Sequence, residues 1–154
     1  QLKGLRIVGS QITNEGLKHL LALTELQILQ LTRTRITNAG METVGKLGQL
    51  QDLDVSITSV TDEGLEELTS LRNLRRLDIS YLDGVTDAGM KSVIELERLE
   101  ILWVYGTGIT DEGLMMLTEL KHLKELKVFR TGVTVNGVEE FKRRLPSCKV
   151  SSDF

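Results

Sequence analysis

The stretch LEILWVYGTGITDEGLMML, Leu99 to Leu117, changes its apolar period halfway along. Leu102 and Val104 alternate with Ile101, Trp103 and Tyr105, as in a strand with one buried face. Leu114 and Leu117, continued by Leu120, recur at helical spacing. The joint between the halves is ITDEGL, from Ile109. It has near-copies in ITNEGL from Ile12, ITNAGM from Ile36, VTDEGL from Val60, VTDAGM from Val85 and VTVNGV from Val133. The leucines that open the units are Leu2, Leu26, Leu50, Leu74, Leu99 and Leu123, spaced by 24 residues except for 25 between Leu74 and Leu99. A strand–turn–helix unit this small cannot bury its apolar side alone. Six units stacked in parallel share one continuous core. Each fully buried Leu, Ile or Val in it contributes about 1.5–3 kcal/mol.

Composition sets outer bounds. The 154 residues are 40% hydrophobic with a formal charge of -3, which suits a single domain over 1–154. No apolar run approaches the roughly 18–20 residues of a membrane span, and no secretory pattern opens the chain, so no membrane contact is expected. The acidic balance gives no general attraction to nucleic acid. The basic run Lys142, Arg143 and Arg144 suits a helix C-terminus and has no stacking platform beside it. Cys148 is the only cysteine, so no internal disulfide can form. A lone thiol favours a reducing, cytoplasmic compartment, and localisation is otherwise unassigned.

The L-x-x-[LI]-x-[LIV] openings and the six ITDEGL-like joints resemble the leucine-rich repeat family across essentially the whole chain. The subtype they are most similar to is the cysteine-containing, F-box-associated one, which also occurs in bacterial proteins and carries ITDxGL before the helix. The resemblance implies an α/β, right-handed solenoid. It would be an open arc of six repeats of about 24 residues, with a parallel sheet on the concave face and helices on the convex face. Where the subtype often has Cys, this chain has Thr34, Thr58, Thr107 and Thr131, with Ser10 in the first unit. Their hydroxyls are expected to bond turn backbone from one repeat to the next.

The joints read as structural rather than chemical. Thr13, Thr37, Thr61, Thr86, Thr110 and Thr134 stand where a hydroxyl caps a helix. The acids after them, such as Asp111 and Glu112, favour the positive end of the helix dipole. Gly16, Gly40, Gly64, Gly89, Gly113 and Gly137 fall three places after each threonine, where a Cβ is expected to strike the neighbouring repeat. Metal ligation or acid–base work by Asp62/Glu63 and Asp111/Glu112 is disfavoured, because the equivalent pairs elsewhere are Asn38/Ala39 and Val135/Asn136.

The resemblance puts the third, fifth and seventh positions of each unit on the concave face. Trp103, Tyr105 and Phe129 then lie together on the last two strands, with Ile101 extending them and Tyr81 beside them. Tyr and Trp are enriched in binding hot spots. The patch is therefore read as apolar anchors ringed by Tyr81, Lys127 and Arg130, against a rival reading in which Trp103 lies across Lys127 or Ile101 as mutual shielding. Asp52, Asp54 and Asp78 gather next to it, relieved by Arg76 and by Arg33, and would select a basic partner segment. The one-residue insertion in SYLDGVTD is expected to bulge near Tyr81 and Leu82.

No catalytic, cofactor or metal residues are assigned. His19 and His122 are four repeats apart, no phosphate loop occurs, and a solenoid keeps distant repeats from converging within the roughly 3 Å that catalysis needs. The C-terminal segment from about 142 to 154 is expected to cap the core, with Pro146 ending the last helix and Cys148 and Val150 adding an edge strand. Leu2 and Leu5 leave an uncapped N-terminal edge, open to preceding chain or to another molecule. The expected function is non-catalytic recognition of a protein or peptide on the concave face. The alternative is a structural spacer or assembly segment, and a hydrolase or metal-dependent enzyme stands third.

Overall fold

The computed structural model describes residues 2–154. These form one seven-stranded, all-parallel sheet in strict chain order. The strands are β1 (Gly4–Arg6), β2 (Ile28–Gln30), β3 (Asp52–Asp54), β4 (Arg76–Asp78), β5 (Ile101–Trp103), β6 (Glu125–Lys127) and β7 (Lys149–Ser151). Each of the first six leads into a short helix: α1 (Asn14–Leu17), α2 (Asn38–Val44), α3 (Asp62–Glu66), α4 (Asp87–Val93), α5 (Asp111–Met116) and α6 (Val135–Arg144). Tight 3-10 turns extend α1, α3 and α5. No helix is long and apolar enough to cross a membrane.

The register runs without a slip. Leu29, Leu53, Leu77, Leu102 and Leu126 stand opposite one another and are fully buried. Their neighbours in each strand point away from the core, as the period of two requires. The openers Leu26, Leu50, Leu74, Leu99 and Leu123 form a second buried row, and Leu17, Met41, Leu65, Met90 and Leu114 supply the helical side. Thus one apolar column runs the length of the molecule.

The turn after each strand uses a left-handed residue. Arg33, Ile57, Tyr81 and Arg130 have φ of 61°, 55°, 57° and 52°, and Gly9 and Gly106 occupy the same place in their repeats. The N–H of that residue still extends the ladder, as from Ile57 to Ser80 O at 3.0 Å and from Gly106 to Phe129 O at 2.9 Å. The chain then dives toward the helix layer, leaving the side chain splayed outward. A non-glycine residue pays roughly 1–2 kcal/mol for this conformation.

The joints work differently from the expectation in two respects. Only Thr86, Thr110 and Thr134 cap their helices, accepting from the N–H of Ala88, Glu112 and Gly137; Thr13, Thr37 and Thr61 make no such bond. The residue after each threonine does more than offset a dipole, because it reaches into the next repeat. Asn14 Oδ1 accepts from Thr37 N–H at 3.1 Å and Asn38 Oδ1 from Thr61 N–H at 2.9 Å, while each amide donates to the threonine hydroxyl. Asp62, Asp87 and Asp111 each accept from both the N–H and the hydroxyl of Thr86, Thr110 and Thr134 at 2.6–2.8 Å. The threonines therefore serve as rungs of a ladder that ties successive helix starts together.

That ladder explains the glycines. A Cβ on Gly40 or Gly64 would come to 2.6 Å from Oδ1 of Asn14 or Asn38, and one on Gly89, Gly113 or Gly137 would run into Asp62, Asp87 or Asp111. The expected clash with the neighbouring repeat holds at these five. At Gly16 the nearest obstacle is Ile12 of its own repeat.

The second hydroxyl row also departs from expectation. Thr34, Thr58, Thr107 and Thr131 donate to Leu31 O, Val55 O, Val104 O and Val128 O, three residues back in their own repeats. A short side chain satisfies the nearest carbonyl of its own turn before it can span the gap between repeats. In the fourth repeat Leu82 takes that place and is fully buried, so the inserted length emerges at the exposed Asp83 and Gly84.

At the C-terminal end Pro146 follows α6, and Lys149 N–H donates to Lys124 O at 2.8 Å to start β7. Cys148 lies buried beneath this strand, and burial pushes its thiol up to about 11. Alkylation by iodoacetamide at pH 8 should accordingly be slow in the native protein and rapid after unfolding. Equal rates in the two states would place the thiol at the surface.

Candidate functional site

The outward face of the sheet carries two rows in register. One runs Gly4, Ile28, Asp52, Arg76, Ile101, Glu125, and the other Arg6, Gln30, Asp54, Asp78, Trp103, Lys127. Beyond them, at the C-terminal ends of the strands, stand Ser56, Ser80, Tyr105 and Phe129, followed by the splayed left-handed residues.

The aromatics divide into two arrangements. Tyr105 stacks on Phe129 with ring centroids 4.8 Å apart and 19° between planes, and Tyr81 lies 6.2 Å from Tyr105. The three form a row along the strand ends. Tyr81 is 43% exposed despite its strained backbone, and its ring fits because the following repeat has Gly106, where a Cβ would come to 2.7 Å from the ring. Trp103 is apart from this row. The Arg76 guanidinium lies 4.3 Å and the Lys127 ammonium 3.8 Å from its ring centroid, contributed by the flanking strands, and its indole N–H donates to Glu125 Oε1 at 2.9 Å. Such cation–π contacts hold the ring in place. The shielding by Lys127 anticipated as the rival reading is therefore present, with Arg76 added and Ile101 left as a half-buried neighbour in the other row.

The acids are graded by their partners. Asp52 pairs with Arg76 at 2.8 Å. Asp54 is saturated: Thr32 donates to Oδ2, and both the N–H and hydroxyl of Ser56 donate to Oδ1. Asp78, directly opposite Asp54, has the N–H of Ser80 at 3.0 Å and Arg76 only at 3.6 Å. Burial accordingly raises its carboxyl above the ordinary range. Arg33, expected to relieve the acids, pairs with no carboxylate among the described residues, since its left-handed backbone sends the side chain outward. Arg130 shares that conformation and is exposed, its N–H donating to Asp153.

Between the two arrangements is a depression of about 240 Å³, lined by Ser56, Ile57, Asp78, Ser80, Tyr81, Trp103, Tyr105 and Lys127. Five of these belong to the expected site. Ser56 and Ser80 hold seventh positions, expected on the concave face but not in the site, and Ile57 was not foreseen. The available signal was Gly9 and Gly106 at the equivalent of Ile57, which mark that place as left-handed. A larger hollow of about 340 Å³, between Glu97, Arg98, Glu119, Lys121 and His122, sits in the turns that lead into β5 and β6, where its walls are long exposed side chains. Among the described residues no three His, Cys, Asp or Glu side chains gather where a metal ion would fit. His19 and His122 are both exposed.

The chain matches the leucine-rich repeat region over residues 1–150 and belongs to that family. Among solved structures it is similar to a leucine-rich repeat protein of Leptospira interrogans, at 23% identity and a TM-score of 0.69 over 97% of this chain and 37% of that one. It is also similar to internalin C2 of Listeria monocytogenes, at 20% identity and a TM-score of 0.75 over 96% of this chain and 69% of that one. A further Listeria monocytogenes internalin, inlF, matches at 19% identity and a TM-score of 0.68, over 99% and 48% of the two chains. The present chain thus spans little more than a third of the Leptospira protein. At these identities the likeness is one of fold. No curated protein matches by sequence.

Proposed function

We propose that this module recognises a protein or peptide segment on the concave face of its sheet, without catalysis. The observation that carries the reading is the row of Tyr81, Tyr105 and Phe129 beside a 240 Å³ depression. The repeats need no aromatic at these places, since the equivalent positions elsewhere hold Ser56, Ile57 and Thr32. Tyr81 is kept exposed in a costly backbone conformation, with a glycine cleared beneath its ring. Exposed aromatic surface next to under-bonded polar groups is the composition of a contact centre.

The Tyr81→Ala/Tyr105→Ala double variant leaves the apolar column untouched, and it should lose captured partners by more than about thirtyfold if these are hot spots of 2 kcal/mol or more. Recovery of every partner at wild-type level would remove the concave face from the function. A second reading, an assembly segment, draws on exposed Leu2 and Val8 beside the outer edge of β1. There the Tyr variants would leave association unchanged. The ITDxGL joints further support placing the repeats in the F-box-associated subtype, where the module would select a client for another domain.

A further inference from the structure

Asp78 and Ser80 form the one D-x-S pair on the sheet that is left incomplete. In the preceding repeat the same pair is closed: Ser56 Oγ donates to Asp54 at 2.6 Å and Thr32 Oγ1 seals the other oxygen at 2.7 Å. One repeat on, Ser56 is already committed to Asp54, so Asp78 has no counterpart of Thr32. Its Oδ2 has only the guanidinium of Arg76, at 3.6 Å, which is beyond a hydrogen bond. The Ser80 hydroxyl lies close enough to Asp78 to oppose the rise of its carboxyl, yet it makes no well-aligned hydrogen bond among the described residues, and Ser80, like Asp78, is only 6% exposed. A buried hydroxyl without a partner typically costs 1–3 kcal/mol, so native structures keep few of them.

Both groups line the depression between Tyr81, Tyr105 and Trp103. The surroundings fix the sign of what completes them. Of the charged residues, Asp78 and Lys127 line the depression, and around them Asp52, Asp54 and Glu125 outnumber Arg76, so the neighbourhood holds four carboxylates and two cations. Both cations are engaged, Arg76 with Asp52 at 2.8 Å and Lys127 with Glu125 at 3.5 Å.

We propose that this depression is a socket for a lysine side chain of the partner segment, with Asp78 and Ser80 as its floor. Asp78 takes the ammonium in a charge-assisted bond, the enclosed Ser80 hydroxyl beneath it holds the carboxylate in place, and the faces of Tyr81 and Tyr105 cover the methylene stem. A carboxylate or phosphate would meet Asp78 directly, and an apolar tip would leave the Ser80 hydroxyl unmatched and Asp78 with only the Ser80 N–H and the distant Arg76. The socket rests on the concave-face reading and specifies it.

The test uses the whole chain and two capped peptides, acetyl-Gly-Leu-Lys-Leu-Gly-amide and its norleucine counterpart, which keeps the stem and lacks the charge. Trp103 is the only tryptophan and lines the depression, so its indole N–H resonance reports occupancy in an NMR titration. The lysine peptide should shift that resonance saturably and bind at least tenfold more tightly than the norleucine peptide. Asp78→Asn should abolish the difference, and Ser80→Ala should reduce it several-fold. Equal binding of the two peptides, or no saturable shift with either, overturns the socket. That comparison needs only the wild-type protein and so stands even if Asp78→Asn fails to fold. Loss of partner capture in the Tyr81→Ala/Tyr105→Ala variant but not in Asp78→Asn would likewise overturn the socket while leaving the concave-face reading intact. Capture unaffected by either change would overturn both.

Discussion

Gly64→Ala should destabilise the protein by about 2–4 kcal/mol, although alanine is the better helix former by roughly 1 kcal/mol. The added methyl would meet Asn38 Oδ1 at 2.6 Å and Val60 Cγ1 at 2.8 Å. Asn38 cannot step aside freely, because it accepts from Thr61 N–H and donates to Thr61 Oγ1, both at 2.9 Å. Making room therefore breaks a rung between two repeats and leaves a half-buried N–H unpaired, about 1–3 kcal/mol, on top of an overpacking cost of about 1–3 kcal/mol. Gly48→Ala is the control: its Cβ would meet nothing within 4 Å, and a change within about 0.5 kcal/mol is expected. Urea unfolding of both variants gives the comparison. The Asn38→Ala background sharpens it. With the asparagine gone, Gly64→Ala should cost distinctly less than in the wild type, a non-additivity that marks direct contact. Additive losses would mean that the glycine is required for some other reason.

How much of this was legible beforehand follows from where each interaction closes. The solenoid was visible because its period is written in single residues: Leu53, Leu77 and Leu102 must alternate and must align. The glycine positions were visible as well, and so was the fact that something beyond the helix excluded a side chain there. What struck them was not. Asn14 and Asn38 look from the sequence like ordinary first-turn residues, and Asp62, Asp87 and Asp111 like acids favoured by the helix dipole. Their partners lie 23 or 24 residues on, across a gap whose width only the stacking sets. The threonine row at Thr34 and Thr58 was misjudged by the same unknown, in the opposite direction. Its partners proved to be local.

The candidate site shows the same division. Register placed Trp103 beside Asp78 and Lys127, and the structure keeps them adjacent. Grouping Trp103 with Tyr105 and Phe129 by residue type missed the distinction that charge makes. A ring flanked by Arg76 and Lys127 becomes part of the polar network, while the tyrosines beyond the strand ends stay available. The left-handed turn decides this. It throws Ile57 and Tyr81 outward over the seventh positions, and only Gly9 and Gly106 hinted at it.

Phe141→Ala should be the most damaging single truncation outside the strands, at about 3–5 kcal/mol. Phe141 is fully buried on α6 and is the largest side chain so enclosed. It stands in the last repeat, under a cap consisting of Leu145, Cys148 and the three residues of β7. In a stacked array each unit contacts only its neighbours, so the effect should stay local in a way that a globular core would not permit. Hydrogen exchange should show protection lost first in β6, α6 and β7, with β3 and β4 still protected under conditions where the end has opened. Leu77→Ala, at the centre of the same apolar column, should cost a comparable 2–5 kcal/mol but lower protection on both sides of β4. If Phe141→Ala instead released all repeats together, the couplings between repeats would exceed the stability of any single one. The hydrogen-bonded rungs from Asn14 to Asp111 would then be the natural source of that coupling, since they join every consecutive pair of helix starts along the chain.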